Sequence, residues 1–122
     1  MDGVLTCRGV PLEELAAEHG TPLYVYDVEG VEARVRHFQE TFGGVGFLLA
    51  YSVKANGSLA LLNRIAALGA GADIVSLGEL HRALVAGFPP ERIVFAGAGK
   101  TTLAGMLVRD PEIRKAFGRI CW

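Results

Sequence analysis

The sequence predicts an α/β fold built from repeated strand–helix units, and three observations carry this prediction. Short apolar segments alternate with segments whose apolar residues recur at helical spacing. Glycine or proline lies at most of the junctions between them. From Phe47 onward the order is β-α-β-α-β-α, which implies parallel strands with right-handed crossovers. An open doubly wound sheet and part of a (β/α)8 barrel both fit. Because a complete barrel takes about 250 residues, this chain would hold roughly its first three βα units.

Residues 1–27 are predicted to form an N-terminal segment that precedes the barrel part. A short helix is expected over residues 11–19, because proline favours the first helical position and Gly20 can end the helix. Residues 23–26, with the sequence LYVY, are predicted to form a short strand.

Residues 28–101 are predicted to form the partial barrel. Its helices should begin after the capping residues Asp27, Ser58 and Ser76. Ser76 also starts the pattern S-x-x-E of a capping box, which ends at Glu79. The strands are expected at residues 47–53, 72–75 and 92–96, and the helices at about residues 28–42, 58–68 and 76–86. The first strand is continuously apolar, which is typical of a strand buried on both faces.

Composition and the few potential ligand residues exclude several classes of protein. The chain is 51% hydrophobic and 20% charged, which is typical of a globular domain, and its net charge of −1 argues against nucleic-acid partners. It contains neither a recognisable signal peptide nor a membrane-length apolar run, so a cytoplasmic location without membrane contact is expected. Cys7 and Cys121 are interpreted as reduced thiols. Because His19, His37 and His81 lie on different predicted helices, no metal site is expected.

Lys54 is the residue that most strongly indicates chemistry. It follows the apolar strand 47–53, and active residues of α/β sheets and barrels lie at the carboxyl ends of strands. Asp73 lies near the end of the neighbouring predicted strand and can pair with a lysine ammonium. Lysines are rarely buried without a partner, and a deprotonated lysine amine can form a Schiff base with an aldehyde cofactor. The alternative is a solvated lysine in a strand-to-helix loop.

Three blocks of sequence extend this interpretation. They are YSVKAN at residues 51–56, LGAGADIVSLGEL at residues 68–80 and GFPPERIVF at residues 87–95. In their order and spacing they resemble the ornithine/diaminopimelate/arginine decarboxylase family, which has the alanine-racemase-like fold. The resemblance covers about residues 21–101.

The resemblance implies a cofactor, a set of site residues and an assembly. In the family, the lysine of the first block forms a Schiff base with pyridoxal 5'-phosphate, and here that residue is Lys54. The resemblance places Asp73 close to this lysine and Glu79 near the same site. Asp73 as a simple loop acid and Glu79 as only a capping residue remain alternatives. The family is a homodimer, and its counterpart of residues 21–27 adds a strand to a separate β domain.

The activity implied by the resemblance is decarboxylation of a small amino acid. The overall similarity favours conversion of meso-2,6-diaminopimelate to L-lysine in lysine biosynthesis, with ornithine, arginine or another amino acid as alternatives. Ser52 stands where the family usually has alanine. Residues 102–122 are a divergent tail, predicted to be helical over about residues 102–117. Because motifs found later in the family are absent, an N-terminal fragment with little or no activity alone is expected, and a non-catalytic fragment is the alternative.

Residues 94–103, with the sequence VFAGAGKTTL, resemble a phosphate-binding P-loop. The consensus requires glycine five residues before Gly99, where this chain has Val94. No later strand with a Walker-B aspartate follows. Nucleotide binding is therefore a disfavoured alternative.

Overall fold

The computed structural model describes residues 3–98 together with residues 101, 105, 109 and 111, and the fold is given for these residues. A two-stranded antiparallel hairpin and two helices come first. They are β1 (Thr6–Cys7), β2 (Val10–Pro11), α1 (Leu12–His19) and α2 (Val28–Thr41). A strand–helix series follows, with β3 (Ala50–Ser52), α3 (Leu59–Ala67), β4 (Gly71–Ile74), α4 (Leu77–Val85) and β5 (Ile93–Phe95).

The strands β3, β4 and β5 form one parallel sheet with β4 in the centre. Ser52 on β3 lies opposite Asp73 on β4, and Asp73 in turn lies opposite Val94 on β5. This register brings the carboxyl ends of β3 and β4 to one edge of the sheet. The predicted α/β architecture with parallel strands is confirmed.

The first barrel strand is shorter and less buried than the sequence predicts. The prediction covers residues 47–53, whereas β3 spans only Ala50–Ser52. Its only strand partner in the described part of the chain is β4, and that pairing begins where the Gly71 amide donates to the Leu49 carbonyl at 2.7 Å. Because β3 is an edge strand, its residues are half-buried. Before it, the Phe47 ring packs 5.5 Å from the Phe42 ring instead of entering the sheet.

The predicted strand at residues 23–26 is wrong for the described structure. These residues form no strand, and Tyr24 is 85% exposed. A strand needs a neighbouring strand to pair with its backbone N–H and C=O groups. In the described structure β1 and β2 pair with each other and leave residues 23–26 without such a neighbour. The sequence prediction missed this hairpin. Arg8 lies in the turn between β1 and β2 and forms ion pairs with Asp27 and Glu29 at the start of α2.

The predicted helix starts are confirmed in position, but the caps differ in detail. Asp27 caps α2 by accepting a hydrogen bond from the Gly30 amide at 2.9 Å. Ser58 is the N-cap residue of α3, yet its side chain makes no capping bond. Instead the Asn56 side-chain oxygen accepts from the Ser58 amide at 2.9 Å. Asn56 therefore turns the loop before α3.

The hydrophobic core lies between the sheet and the helices α3 and α4. Its largest fully buried side chains come from these helices, from β4, from the turn after β3 and from the segment before β5. They are Val53, Leu62, Ile65, Ile74, Leu80 and Phe88. The apolar face of α3 thus anchors the chain directly after the lysine-bearing segment.

Glu32 is a buried carboxylate that joins α2 to α3. Only 10% of its side chain is exposed. One of its oxygens accepts from Arg64 Nε of α3 at 2.5 Å, and the other accepts from Arg36 of α2 at 3.0 Å. Both guanidinium groups reach solvent, so this acid is paired without burying the two cations. The hydrogen bond from Arg64 is the main cause that lowers the pKa of Glu32, against the opposing effect of burial.

This pairing makes the stability of the chain depend on pH. Because the folded-state pKa of Glu32 is lowered, its stabilising contribution is present above the ordinary value of 4.5 and is lost as the pH falls through the folded pKa. Glu32→Gln should therefore lower the free energy of unfolding at neutral pH and make no difference in strong acid. Urea denaturation of both proteins across this range measures the effect. Glu40→Gln, an exposed acid on the same helix, is the control. A difference between wild type and Glu32→Gln that is independent of pH would contradict the prediction.

Some predicted features fall outside the described residues. They are most of the predicted helix 102–117, most of the tail 102–122, and the residues Gly99 and Lys100 of the P-loop-like segment. Among the helices that are described, none is both long and apolar enough to cross a bilayer.

Candidate active site

The site is built around a short turn that follows β3. Residues Val53–Ala55 form one 3-10 turn, called here the lysine turn. Val53 is 1% exposed and anchors the turn in the core. Lys54 is exposed instead of buried, and its side chain makes no hydrogen bond or ion pair with any described residue. Its amine is therefore free to react with a small molecule arriving from solvent.

Asp73 lies at the corresponding end of β4 and is half-buried. Its Oδ2 accepts a hydrogen bond from the Ser52 hydroxyl at 3.2 Å, across the register that pairs the two residues. Its Oδ1 is buried and has no hydrogen-bond partner among the described residues. The sequence suggests an ion pair between Lys54 and Asp73, but the structure instead pairs Asp73 with Ser52. Lys54 and Asp73 thus occupy neighbouring strand ends without touching.

Residues 56–58, called here the lysine loop, connect the lysine turn to α3 and are held by contacts from two sides. The Tyr51 hydroxyl donates to the Asn56 carbonyl at 3.4 Å, and Arg82 of α4 donates to the Gly57 carbonyl at 3.0 Å. Burial is the main cause that raises the pKa of the Tyr51 phenol, so this group remains a donor at neutral pH. These bonds restrain the backbone around Lys54 and leave its side chain free.

Glu79 forms the predicted capping box, with one difference. Its amide donates to the Ser76 hydroxyl at 3.2 Å, and its carboxylate accepts from the Val75 amide at 2.7 Å. The reciprocal bond thus goes to the residue before the N-cap, not to the N-cap itself. The structural role of Glu79 at the start of α4 is confirmed. A contact between Glu79 and a cofactor stays a prediction.

The sequence prediction missed the roles of Ser52, Tyr51 and Arg82. Ser52 and Asp73 are 21 residues apart, and only the strand register makes them neighbours. Arg82 reaches the lysine loop from α4, 25 residues away. The one sequence signal for any of these roles was Ser52 itself, which stands where the family usually has alanine.

Comparison with known proteins identifies the family. The model described as "Pyridoxal-dependent decarboxylase, pyridoxal binding domain" matches residues 28–116. The chain belongs to this family. Its cofactor is pyridoxal phosphate, as the sequence resemblance implies. The match extends past residue 101, the predicted end of the barrel part.

Individual relatives agree with the family. The diaminopimelate decarboxylase of Vibrio cholerae is 49% identical over 100 residues, which cover 82% of this chain and 24% of the relative. Among solved structures, AQ1208 from Aquifex aeolicus has a TM-score of 0.80 at 44% identity. The match covers 96% of this chain and 27% of the AQ1208 chain. Diaminopimelate decarboxylase from Helicobacter pylori, complexed with L-lysine, has a TM-score of 0.72 at 41% identity. The match covers 84% of this chain and 25% of the H. pylori chain. This chain thus spans about a quarter of the length of these relatives.

The described residues fit the aldehyde end of the family's cofactor. Covalent attachment requires an accessible, unengaged amine, and Lys54 provides one. On the neighbouring strand, the buried Oδ1 of Asp73 is an acceptor that has no donor among these residues. An unpaired buried carboxylate oxygen is costly, so a donor arriving with the cofactor or from Lys54 would relieve that cost.

Proposed function

We propose that this chain provides the lysine-bearing part of a pyridoxal-phosphate-dependent decarboxylase that converts meso-2,6-diaminopimelate to L-lysine. The observation that carries the proposal is that two site residues follow neighbouring strand ends: Lys54 after β3, exposed and without a partner among the described residues, and Asp73 on β4, whose Oδ1 has no donor among them. The names of the relatives and the L-lysine in the H. pylori structure support this substrate in preference to ornithine or arginine.

Lys54 has two tasks in this proposal. Its amine would hold the cofactor at the aldehyde carbon, and it would be released as a free amine when the amino group of the substrate replaces it there. When bound, pyridoxal phosphate supplies an electron sink for the charge left on the α-carbon after CO2 departs. The displaced Lys54 amine can then carry a proton to or from the reacting carbon.

Asp73 supports Lys54 in these steps. A carboxylate near a lysine favours the ammonium form and orients it. The bond from Ser52 occupies one oxygen of Asp73, which leaves the other for this contact. Glu79 is a weaker candidate for the cofactor site, because its carboxylate already accepts the Val75 amide.

The proposal is tested by mapping which lysine captures the cofactor. The 122-residue chain is mixed with pyridoxal phosphate and reduced with borohydride, and its modified peptides are identified by mass spectrometry. Selective labelling of Lys54 is expected, with Lys100 and Lys115 of the same chain as internal references. Equal labelling of the three lysines would contradict the proposal.

Turnover is a separate measurement. The relatives are about four times as long as the part matched here, so we expect the 122-residue chain by itself to release little or no CO2 from meso-diaminopimelate. Both β3 and β5 pair only with β4 in the described sheet, and such open edges are poor boundaries for a closed catalytic cavity. Fast turnover that Lys54→Ala abolishes would show that these three strands suffice.

The family resemblance also supports a homodimer and a cytoplasmic location. The absence of a membrane-crossing helix among the described residues is compatible with this location. Sedimentation of the cofactor-loaded protein at several concentrations would test the dimer.

A further inference from the structure

The hydroxyl of Ser52 is the feature that distinguishes this site from the family pattern, in which alanine is usual. It lies on β3 directly opposite Asp73, two residues before Lys54 in the chain. It donates to Asp73 Oδ2 at 3.2 Å. Alanine at this position would leave that oxygen without its donor. Ser52 therefore adds one contact to the carboxylate beside the reactive lysine.

The second oxygen of Asp73 shows what this contact achieves. In the described part of the chain Oδ1 is buried and has no donor, although a buried carboxylate oxygen is normally hydrogen-bonded. A free carboxylate could rotate to exchange its two oxygens or turn toward water. The bond from Ser52 to Oδ2 opposes both movements and so favours the carboxylate orientation seen in the structure. Lys54, which is exposed, follows Ser52 by two residues and lies in the lysine turn at the end of the same strand.

We propose that Ser52 is a positioning residue, which holds the Asp73 carboxylate in one rotamer so that its Oδ1 can accept a hydrogen bond from the Lys54 ammonium. The inference rests on the proposed function, because it assigns Asp73 to the lysine that holds the cofactor. Ser52 itself touches neither the cofactor nor the substrate in this role. It acts by limiting the conformations of Asp73.

The first test measures the side-chain rotamer of Asp73 in the cofactor-free chain. Three-bond NMR couplings across its χ1 angle should indicate one rotamer in the wild type and averaging in Ser52→Ala. Ser52→Thr retains the hydroxyl and should preserve the single rotamer. Ser58→Ala is the matched control, since that serine is nearby but its side chain makes no capping bond. A single Asp73 rotamer in Ser52→Ala would overturn the proposal.

The second test measures the rate at which pyridoxal phosphate is trapped on Lys54 by borohydride, relative to Lys100. Because contact with Asp73 favours the unreactive ammonium form of Lys54, loosening that contact in Ser52→Ala should speed trapping on Lys54 by about fivefold. Ser52→Thr and Ser58→Ala should retain the wild-type rate. A purely structural bond between the strands would leave this ratio unchanged, and that result would overturn the proposal.

The design separates this inference from the function on which it rests. If pyridoxal phosphate does not prefer Lys54 in the wild type, the proposed function fails. If the wild type prefers Lys54 and Ser52→Ala prefers it equally, only the role of Ser52 fails. Since alanine is usual here in the family, Ser52→Ala is expected to fold, and circular dichroism verifies this. If it does not fold, Ser52→Thr decides, because a trapping ratio that differs from the wild-type ratio while the hydroxyl is present would overturn the proposal.

Discussion

Replacing Lys54 by alanine should reduce covalent capture of pyridoxal phosphate at the lysine turn to background. The amine is the only group there that can bond to the aldehyde, and alanine removes it. Because the Lys54 side chain is exposed and unpaired among the described residues, its removal should leave the fold intact. Absorbance of the adduct and peptide mapping after borohydride reduction measure the capture.

Lys54→Arg is the informative companion of this variant. Arginine keeps the positive charge but stays protonated, so it cannot act as a nucleophilic amine. It should capture as little cofactor as Lys54→Ala, whereas Lys100→Ala should capture as much as the wild type. If capture persisted in both Lys54 variants, the cofactor would be held elsewhere in the chain and the proposed site would be wrong.

Replacing Leu62 by alanine should destabilise the chain by about 2–5 kcal/mol. Leu62 has no exposed surface and lies on the core face of α3, the helix that directly follows the lysine loop. The substitution removes buried methyl groups and leaves a cavity that the helix and sheet can fill only in part. Urea denaturation gives the change in the free energy of unfolding, provided that the dependence on urea concentration is unchanged.

Leu59→Ala is the matched control on the same helix. Leu59 is 42% exposed, so the same chemical change should cost about 1 kcal/mol or less. The two variants share residue type and helix, and they differ mainly in burial. Equal destabilisation by both would mean that α3 does not pack on the sheet as described. We also expect Leu62→Ala to weaken the preference of pyridoxal phosphate for Lys54, since α3 anchors the loop after that residue.

Local features of this fold were predictable because they depend on neighbouring residues. Asp27 caps α2 through the Gly30 amide three residues ahead, and Ser76 and Glu79 form their box within one helical turn. Strand boundaries were less predictable, since a strand extends only as far as its partner. For this reason β3 begins at Ala50, although the apolar sequence begins at Phe47.

The sequence by itself determined the family, the identity of the candidate lysine and the alternation of parallel strands and helices. These follow from residue type and spacing along the chain, which the blocks around Lys54 and Asp73 carry. Only the tertiary structure decided that Ser52 donates to Asp73, that Asp73 keeps one vacant oxygen, and that Arg82 supports the lysine loop. The physical reason is that these contacts join residues more than 20 positions apart, and strand register and helix packing set them without any local signal.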